Sequence, residues 1–231
     1  MRAVLLIALT LAAYGIGLTA RKFAARHPLA NPVLIAIAIV IAVLIATGTG
    51  YAEYFAANGP IVFLLGPATV ALGVPLAGNF IHLHRSLRAV LIALLAGSVA
   101  AMLTGYFLVR VLGGSAETAL SMLPKSVTTP IAMAVAQQVG GQPALSAAFA
   151  ILGGIIAAVS LRAVLRMVRV NQSHAMGLAA GAAGSGIAAA YVAAFGDGPA
   201  AFAAIGIGLN GLATSIIAPL VPVLVKILHP L

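Results

Sequence analysis

Apolar residues in this chain come in long runs, divided by short interludes rich in glycine, proline or basic residues. The first run, Val4 to Thr19, is followed at once by Arg21, Lys22 and Arg26. Pro32 opens a second, Val33 to Ala46, closed by Thr47-Gly48-Thr49-Gly50. Proline suits a helix start, where the missing N–H would be unpaired in any case. After a polar interlude from Tyr51 to Pro60, the run Ile61 to Leu76 is interrupted at Gly66-Pro67 and again at Gly73 and Pro75. A basic loop with His82, His84, Arg85 and Arg88 then leads into Val90 to Val109. The second half carries Thr118 to Val139, a turn at Gly140-Gly141-Gln142-Pro143, and Ala144 to Leu161 with Arg162, Arg166 and Arg169 behind it. Ala175 to Phe195 and Ala200 to Leu228 follow, separated by Asp197-Gly198-Pro199. Runs of about 20 apolar residues predict membrane-spanning helices. The expected fold is an all-α polytopic membrane protein of about seven or eight spanning or half-spanning segments, forming a single domain over residues 1–231.

Composition supports that class. Of 231 residues, 63% are hydrophobic and only 6% charged, with a mean hydropathy of +1.18; a soluble domain carries about 25% charged residues. The net charge of +9 comes from twelve Lys and Arg residues, mostly in clusters between apolar runs. There they bias loops toward the cytoplasm, and no nucleic-acid partner is expected. Cysteine is absent, which excludes disulfides and thiolate chemistry. Three acidic residues, Glu53, Glu117 and Asp197, leave little for a carboxylate metal site or paired acid–base catalysis. The apolar segments hold no nucleophile–base–acid set, and no enzyme or cofactor is expected.

Charge bias also predicts a topology. The first run reads as an anchor with its N-terminus outside rather than a cleaved signal, because a basic cluster after the run resists translocation. Residues 21–27, 82–88 and 162–169 should then all be cytoplasmic. That holds only if the segment around Lys125 and the helix after it cross the membrane once between them. The Lys125 segment is therefore expected to be re-entrant or a pair of half-helices. Weak symmetry accompanies this. Asn31-Pro32 and Gln142-Pro143 each start an apolar run, and a glycine-interrupted segment lies about 35 residues beyond each. Inverted repeats over about 4–109 and 118–228 are expected to bring broken helices together near the bilayer midplane.

The sharpest chemical signal is LPKSVTTPIAM, Leu123 to Met133. Pro124 and Pro130 each remove an intrahelical hydrogen bond. Lys125 places a cation there, beside the hydroxyls of Ser126, Thr128 and Thr129. A lysine near a half-helix N-terminus makes a site for a carboxylate or phosphate. Alternatively Lys125 snorkels to the lipid headgroups. The stretch around Gly66, Pro67, Thr69 and Pro75 is the expected partner, again with two prolines and a hydroxyl in an apolar run; a kinked, close-packed helix is the other reading. Asn210-Gly211, with Thr214 and Ser215, forms a third polar break, serving either as a ligand or as a bond between helices. The glycines from Gly177 to Gly186 read as a close-packing surface, since none belongs to a phosphate-loop pattern. Arg162, Arg166 and Arg169 should share one side of a helical extension facing headgroups.

At these motifs the chain resembles the LrgB/CidB family of bacterial membrane proteins, whose plant relatives include the plastid glycolate/glycerate transporter. The resemblance rests on Asn31-Pro32, LLGPATVALGVPL from Leu64 to Leu76, LPKSVTTPIAM, and GLNG at Gly208 to Gly211 followed by Pro219. The family's Ser-His-Ala-Ile-Gly-Thr-Ala segment is expected in the glycine-rich helix, where Ser185 stands for the histidine and Ala189 for the threonine. Ala77 replaces the tyrosine that often follows Pro75-Leu76.

The resemblance implies two roles. One is a carrier of small 2-hydroxy carboxylates; the other is an antiholin-like modulator of murein hydrolase export and lysis, working with a small LrgA/CidA-like membrane protein. Several discontinuous segments and one placed cation favour a carrier in the bacterial inner membrane, with a membrane scaffold as a third reading. The substrate would be glycolate, lactate, pyruvate or glycerate. Lys125 would neutralise its carboxylate, while Ser126, Thr128, Thr129, Thr69 and Asn210 supply hydrogen bonds. Membrane lipid and a second copy of the chain are the remaining partners expected.

Overall fold

The computed structural model describes residues 2–23, 32–71 and 87–223. The elements among them are helical, and five are long and apolar enough to cross a membrane: Arg2–Lys22, Leu87–Val111, Pro143–Met167, Ser173–Phe195 and Asp197–Val223. The chain is an all-α polytopic membrane protein. It divides into two compact units, Met1–Val70 and Ala71–Leu231. Asn31, Gly73, Pro75 and Ala77 lie outside the described residues, as do His82, His84 and Arg85 of the basic loop.

The first unit contains α1 (Arg2–Phe23), α2 (Pro32–Thr47), α3 (Tyr51–Ala57) and nearly all of α4 (Gly59–Ala71). Arg21 and Lys22 in the last turn of α1 sit where the helix dipole favours positive charge. Gly17 lets α1 approach α2, since a Cβ there would strike the Pro32 backbone. A polar clasp also ties α1 to the segment joining α3 and α4. The Thr10 hydroxyl lies 2.9 Å from both Asn58 Oδ1 and the Tyr54 hydroxyl. Gly48, with φ of 64°, ends α2 at the predicted place. α4 departs from expectation. It runs through Gly66-Pro67 instead of breaking, with Pro67 inside the helix and Thr69 in its last turn. The missing proline N–H removes one bond to the carbonyl four residues earlier, which the flanking turns tolerate.

The second unit holds α5 (Leu87–Val111), α6 (Ala116–Met122), α7 (Thr129–Val139), α8 (Pro143–Met167), α9 (Ser173–Val192) and α10 (Asp197–Ile217). Glycine stripes bring the last three together. A Cβ on Gly177 would strike Pro199, one on Gly181 would strike Ala203, and one on Gly206 would lie 2.7 Å from the Leu178 carbonyl. Small residues at this spacing let helix backbones approach closely in lipid, which is the packing role expected of this segment. Arg162 and Arg166 lie on α8, but Arg169 does not. It follows the helix cap Val168 with φ of 57°, so the three arginines do not share one helical face.

Between the long α5 and α8, α6 and α7 have 7 and 11 residues. At 1.5 Å per residue they span about 10 and 16 Å, against a hydrocarbon core of about 30 Å. Gly140, with φ of 86°, caps α7 and turns the chain. The fully buried Ser121 near the end of α6 then accepts a 2.7 Å bond from Gln142 N. That bond fastens the returning arm to the outgoing one. Ala119, Leu123, Val135 and Val139 close the hairpin against Met102 and Tyr106 of α5.

Candidate functional site

The hairpin breaks between Leu123 and Thr128. Tight i→i+3 bonds replace the α ladder here: Leu123 N to Leu120 O at 3.3 Å, Lys125 N to Met122 O at 3.2 Å, and Val127 N to Pro124 O at 3.2 Å. The prolines explain the location. Pro124 cannot donate a ladder bond, and Pro130 suits the first turn of α7, where its missing N–H leaves nothing unpaired. Lys125 thus sits on a turn between two half-helices, near the positive N-terminal end of α7.

Two glycines make room for it. A Cβ on Gly105 would lie 3.2 Å from Lys125 Cε, and one on Gly153 would lie 3.2 Å from the Lys125 carbonyl. The ammonium donates to Ser126 Oγ at 3.3 Å. Among the described residues no carboxylate pairs with it; the salt bridge found there joins Arg2 to Glu53 at 3.6 Å. Lys125 is a partly buried cation with a hydroxyl for company, and that is a setting for an anion.

Asn210 organises the surroundings. It is 1% exposed, and its side-chain nitrogen donates to the Ser126 and Ala182 carbonyls, both at 2.9 Å. Its Oδ1 accepts from Ser98 on α5. Both amide protons are in use, so Asn210 clamps the hairpin break to α9 and α5 and has none left to donate to a ligand. Thr128 and Thr129 enter α7 from the same break, and the buried Thr128 hydroxyl has no hydrogen-bond partner. Gly66, Pro67 and Thr69 belong to the first unit, and Pro75 falls outside the described residues.

A second break lies in the glycine-interrupted segment beyond Pro143, at a residue that sequence reasoning did not single out as one. Ser185 interrupts α9 with φ of 49° and ψ of −140°, and its buried hydroxyl also lacks a partner. Non-glycine residues adopt such angles only under strain. The available signal was Gly184-Ser185-Gly186, two flexible positions flanking a small polar one. Ala182, three residues earlier, is the one clamped by Asn210, so the hairpin break and the approach to this one meet on a single side chain.

A cavity of about 880 Å³ opens beside Lys125 and Ser126, walled by α5, α8 and α9. Its far end includes Leu165, Val170 and Ala175. Leu165 and Val170 also line a second cavity of about 340 Å³ that holds Arg162, Arg166 and Gln172. A basic recess therefore adjoins the cavity at the end away from Lys125. Among the described residues no group of three metal-ligating side chains converges.

The sequence profile of the LrgB-like family matches residues 10–224. This chain belongs to the LrgB family. An antiholin-like protein LrgB of Bacillus mycoides (strain KBAB4) is 31% identical over 215 residues, 93% of each chain. Its counterpart in Bacillus cereus (strain B4264) is 30% identical over the same length and coverage. An uncharacterized protein of Haemophilus influenzae is 31% identical over 191 residues, 83% of each chain. No solved structure matches.

Membership calls for one correction. The Ser-His-Ala-Ile-Gly-Thr-Ala segment is present eleven residues before Gly184-Ser185, as Ser173-His174-Ala175-Met176-Gly177-Leu178-Ala179. The histidine is therefore His174, not replaced by Ser185; Leu178 takes the place of threonine. The run of glycines and alanines allowed two registers, and the position of Ser-His decides between them. His174 opens α9, exposed, with its ring 4.6 Å from that of Phe202.

Proposed function

We propose that this LrgB-family protein is a secondary carrier of small monocarboxylates in the bacterial inner membrane. The observation that carries the proposal is Lys125, a cation without a carboxylate partner among the described residues, at a break between two half-helices and beside a cavity. In this reading α6 and α7 form a re-entrant hairpin, so the Arg88 end of α5 and the Arg162–Arg166 end of α8 face the cytoplasm together. Their lengths and the Ser121–Gln142 bond support it. Lys125 neutralises the substrate carboxylate, and Ser126, Thr128 and Thr129 supply hydroxyls. Asn210 acts as the positioning residue of the break. Inverted repeats over about 4–109 and 118–228 belong to the same proposal, supported by Pro32 and Pro143 each opening an apolar helix. Glycolate, glycerate, lactate and pyruvate are the substrates to try first.

The test is counterflow of a labelled 2-hydroxy acid in liposomes, with wild type and Lys125→Met. Saturable exchange that disappears in the variant is the expected result. Undiminished exchange in the variant would remove Lys125 from the site.

A second reading comes from the relatives named antiholin-like. Here the chain modulates lysis with a small LrgA/CidA-like membrane partner or as a homodimer. Leakage of unrelated dyes without saturable carboxylate exchange is the outcome that would favour it.

A further inference from the structure

We infer that the carboxylate bound at Lys125 carries an apolar tail, which lies in the cavity along α8 and α9. This rests on the carrier reading and narrows its substrate class. Of the nineteen residues lining the cavity, only Lys125 and Ser126 have polar side chains. The rest are Ala, Gly, Leu, Ile, Val, Met and Phe. Both polar groups stand at one end, because Asn210 holds the Ser126 carbonyl beside that of Ala182. From Ala182 the cavity follows α9 to Ala175. Seven residues of helix cover about 10 Å, the reach of an extended acyl chain rather than of a two-carbon acid.

Volume and chemistry agree. Water takes about 30 Å³ per molecule, so glycolate would occupy a small part of about 880 Å³ and leave apolar walls wet. A hydroxyl on the second carbon would have Ser126 Oγ as a partner, since it accepts from Lys125 and keeps its own proton and a second lone pair. A hydroxyl further along would find no side-chain partner among the lining residues. Each buried methylene should instead tighten binding about fourfold. Leu152 and Ile156, lining the cavity from α8, are 55% and 65% exposed, so the cavity is open on that side. A lipid tail alone could enter such a groove. Lys125 at its end, with no carboxylate partner among the described residues, selects a carboxylate head.

Titration calorimetry on the purified full chain tests this with acetate, glycolate, butyrate, hexanoate and hexanol. Affinity should climb from acetate through butyrate to hexanoate by about fourfold per methylene, with glycolate weaker than butyrate. Ala179→Phe, which shortens the cavity, should abolish the gain from butyrate to hexanoate and weaken acetate far less than hexanoate. Lys125→Met should lose the advantage of hexanoate over hexanol. If glycolate matches or exceeds hexanoate, the tail is refuted while the carrier reading stands. Hexanol binding as tightly as hexanoate to wild type makes the cavity a lipid groove and overturns the proposal. Failure of every carboxylate to bind sinks the carrier reading with it.

Discussion

The two breaks in the second unit are built in different ways. At Leu123–Thr128 prolines interrupt the ladder, short i→i+3 bonds take up backbone groups, and the segment carries a cation. At Ser185 there is no proline; the chain turns through a strained, positive φ with glycines on both sides. The first break is polar and largely satisfied, apart from the Thr128 hydroxyl; the second is strained, and its side chain is unsatisfied. Membrane-depth backbone that leaves the helix is tolerated only where protein or a water-lined cavity shields it. Asn210 provides that shielding for Ser126, and its hold on Ala182 fixes α9 just ahead of Ser185. The lesson is that a small polar residue in a neighbouring helix can stabilise two discontinuities together.

Removing the shared clamp has the largest expected effect. Asn210→Leu leaves the Ser126 and Ala182 carbonyls and the Ser98 hydroxyl buried without their partner. A buried group stranded in this way costs about 1–3 kcal/mol, so thermal unfolding in detergent should reveal a loss of about 2–5 kcal/mol. Asn210→Asp should be similarly harmful, since a carboxylate has no proton to donate to either carbonyl. If Asn210→Asp unfolds at the wild-type temperature, the two breaks are independent and the clamp is incidental.

Separating the breaks needs a change that touches one of them. Gly153→Ala places a Cβ 3.2 Å from the Lys125 carbonyl, which belongs to backbone and yields little. Gly105→Ala meets Lys125 Cε and Met122 Cγ at 3.2 Å, and side chains can swing aside. Carboxylate binding should therefore fall about tenfold in Gly153→Ala, on the order of 1.4 kcal/mol, and less in Gly105→Ala. Equal losses would mean that the ammonium position matters as much as the backbone break.

How much was legible follows from the same contrast. Pro124, Lys125 and Pro130 announce their break in the sequence, because proline forbids a continuous ladder wherever it falls in mid-helix. The short paired helices on either side of that break were legible from its prolines and from Gly140-Gly141-Gln142-Pro143, which turns the chain back. Gly66-Pro67 also holds a proline, yet α4 continues through it with one ladder bond missing. Asn210 was visible as a polar residue in an apolar run. Its partners were not, since Ser126 is 84 positions away and Ser98 is 112. Ser185 was misread as a replaced histidine in a segment where alanine and glycine repeats fit more than one register.

Ser185→Gly tests whether the second break stores strain. Glycine adopts φ of 49° without the clash that burdens serine, and the substitution also deletes a buried, unpartnered hydroxyl. Against this, glycine loses more backbone entropy on folding. The balance should be a gain of about 1 kcal/mol, read as a higher unfolding temperature. Ser185→Ala separates the two causes, since it deletes the hydroxyl and keeps the strained backbone. It should gain less than Ser185→Gly. If Ser185→Gly is more stable but slower in counterflow, the hydroxyl contributes to transport and its strain is maintained for function.

The smallest effect is expected at Thr128, and it bears on the first break alone. Thr128 occupies the N-cap of α7, where a threonine side chain normally bonds a backbone N–H, but no such bond forms here. Removing a working cap costs about 0.5–2 kcal/mol. Because this hydroxyl is buried and idle, Thr128→Ala should leave unfolding within about 0.5 kcal/mol of wild type. Thr128→Val, which keeps the branched shape, should do the same. Carboxylate affinity is the discriminating readout. A hydroxyl held without a partner one residue before α7 should weaken binding when deleted, by about 1 kcal/mol or roughly fivefold. Unchanged affinity in both variants would remove Thr128 from the site and leave Lys125 and Ser126 as its polar end. A large stability loss would show instead that the hydroxyl caps α7 after all, making the first break a more conventional helix start than its geometry indicates.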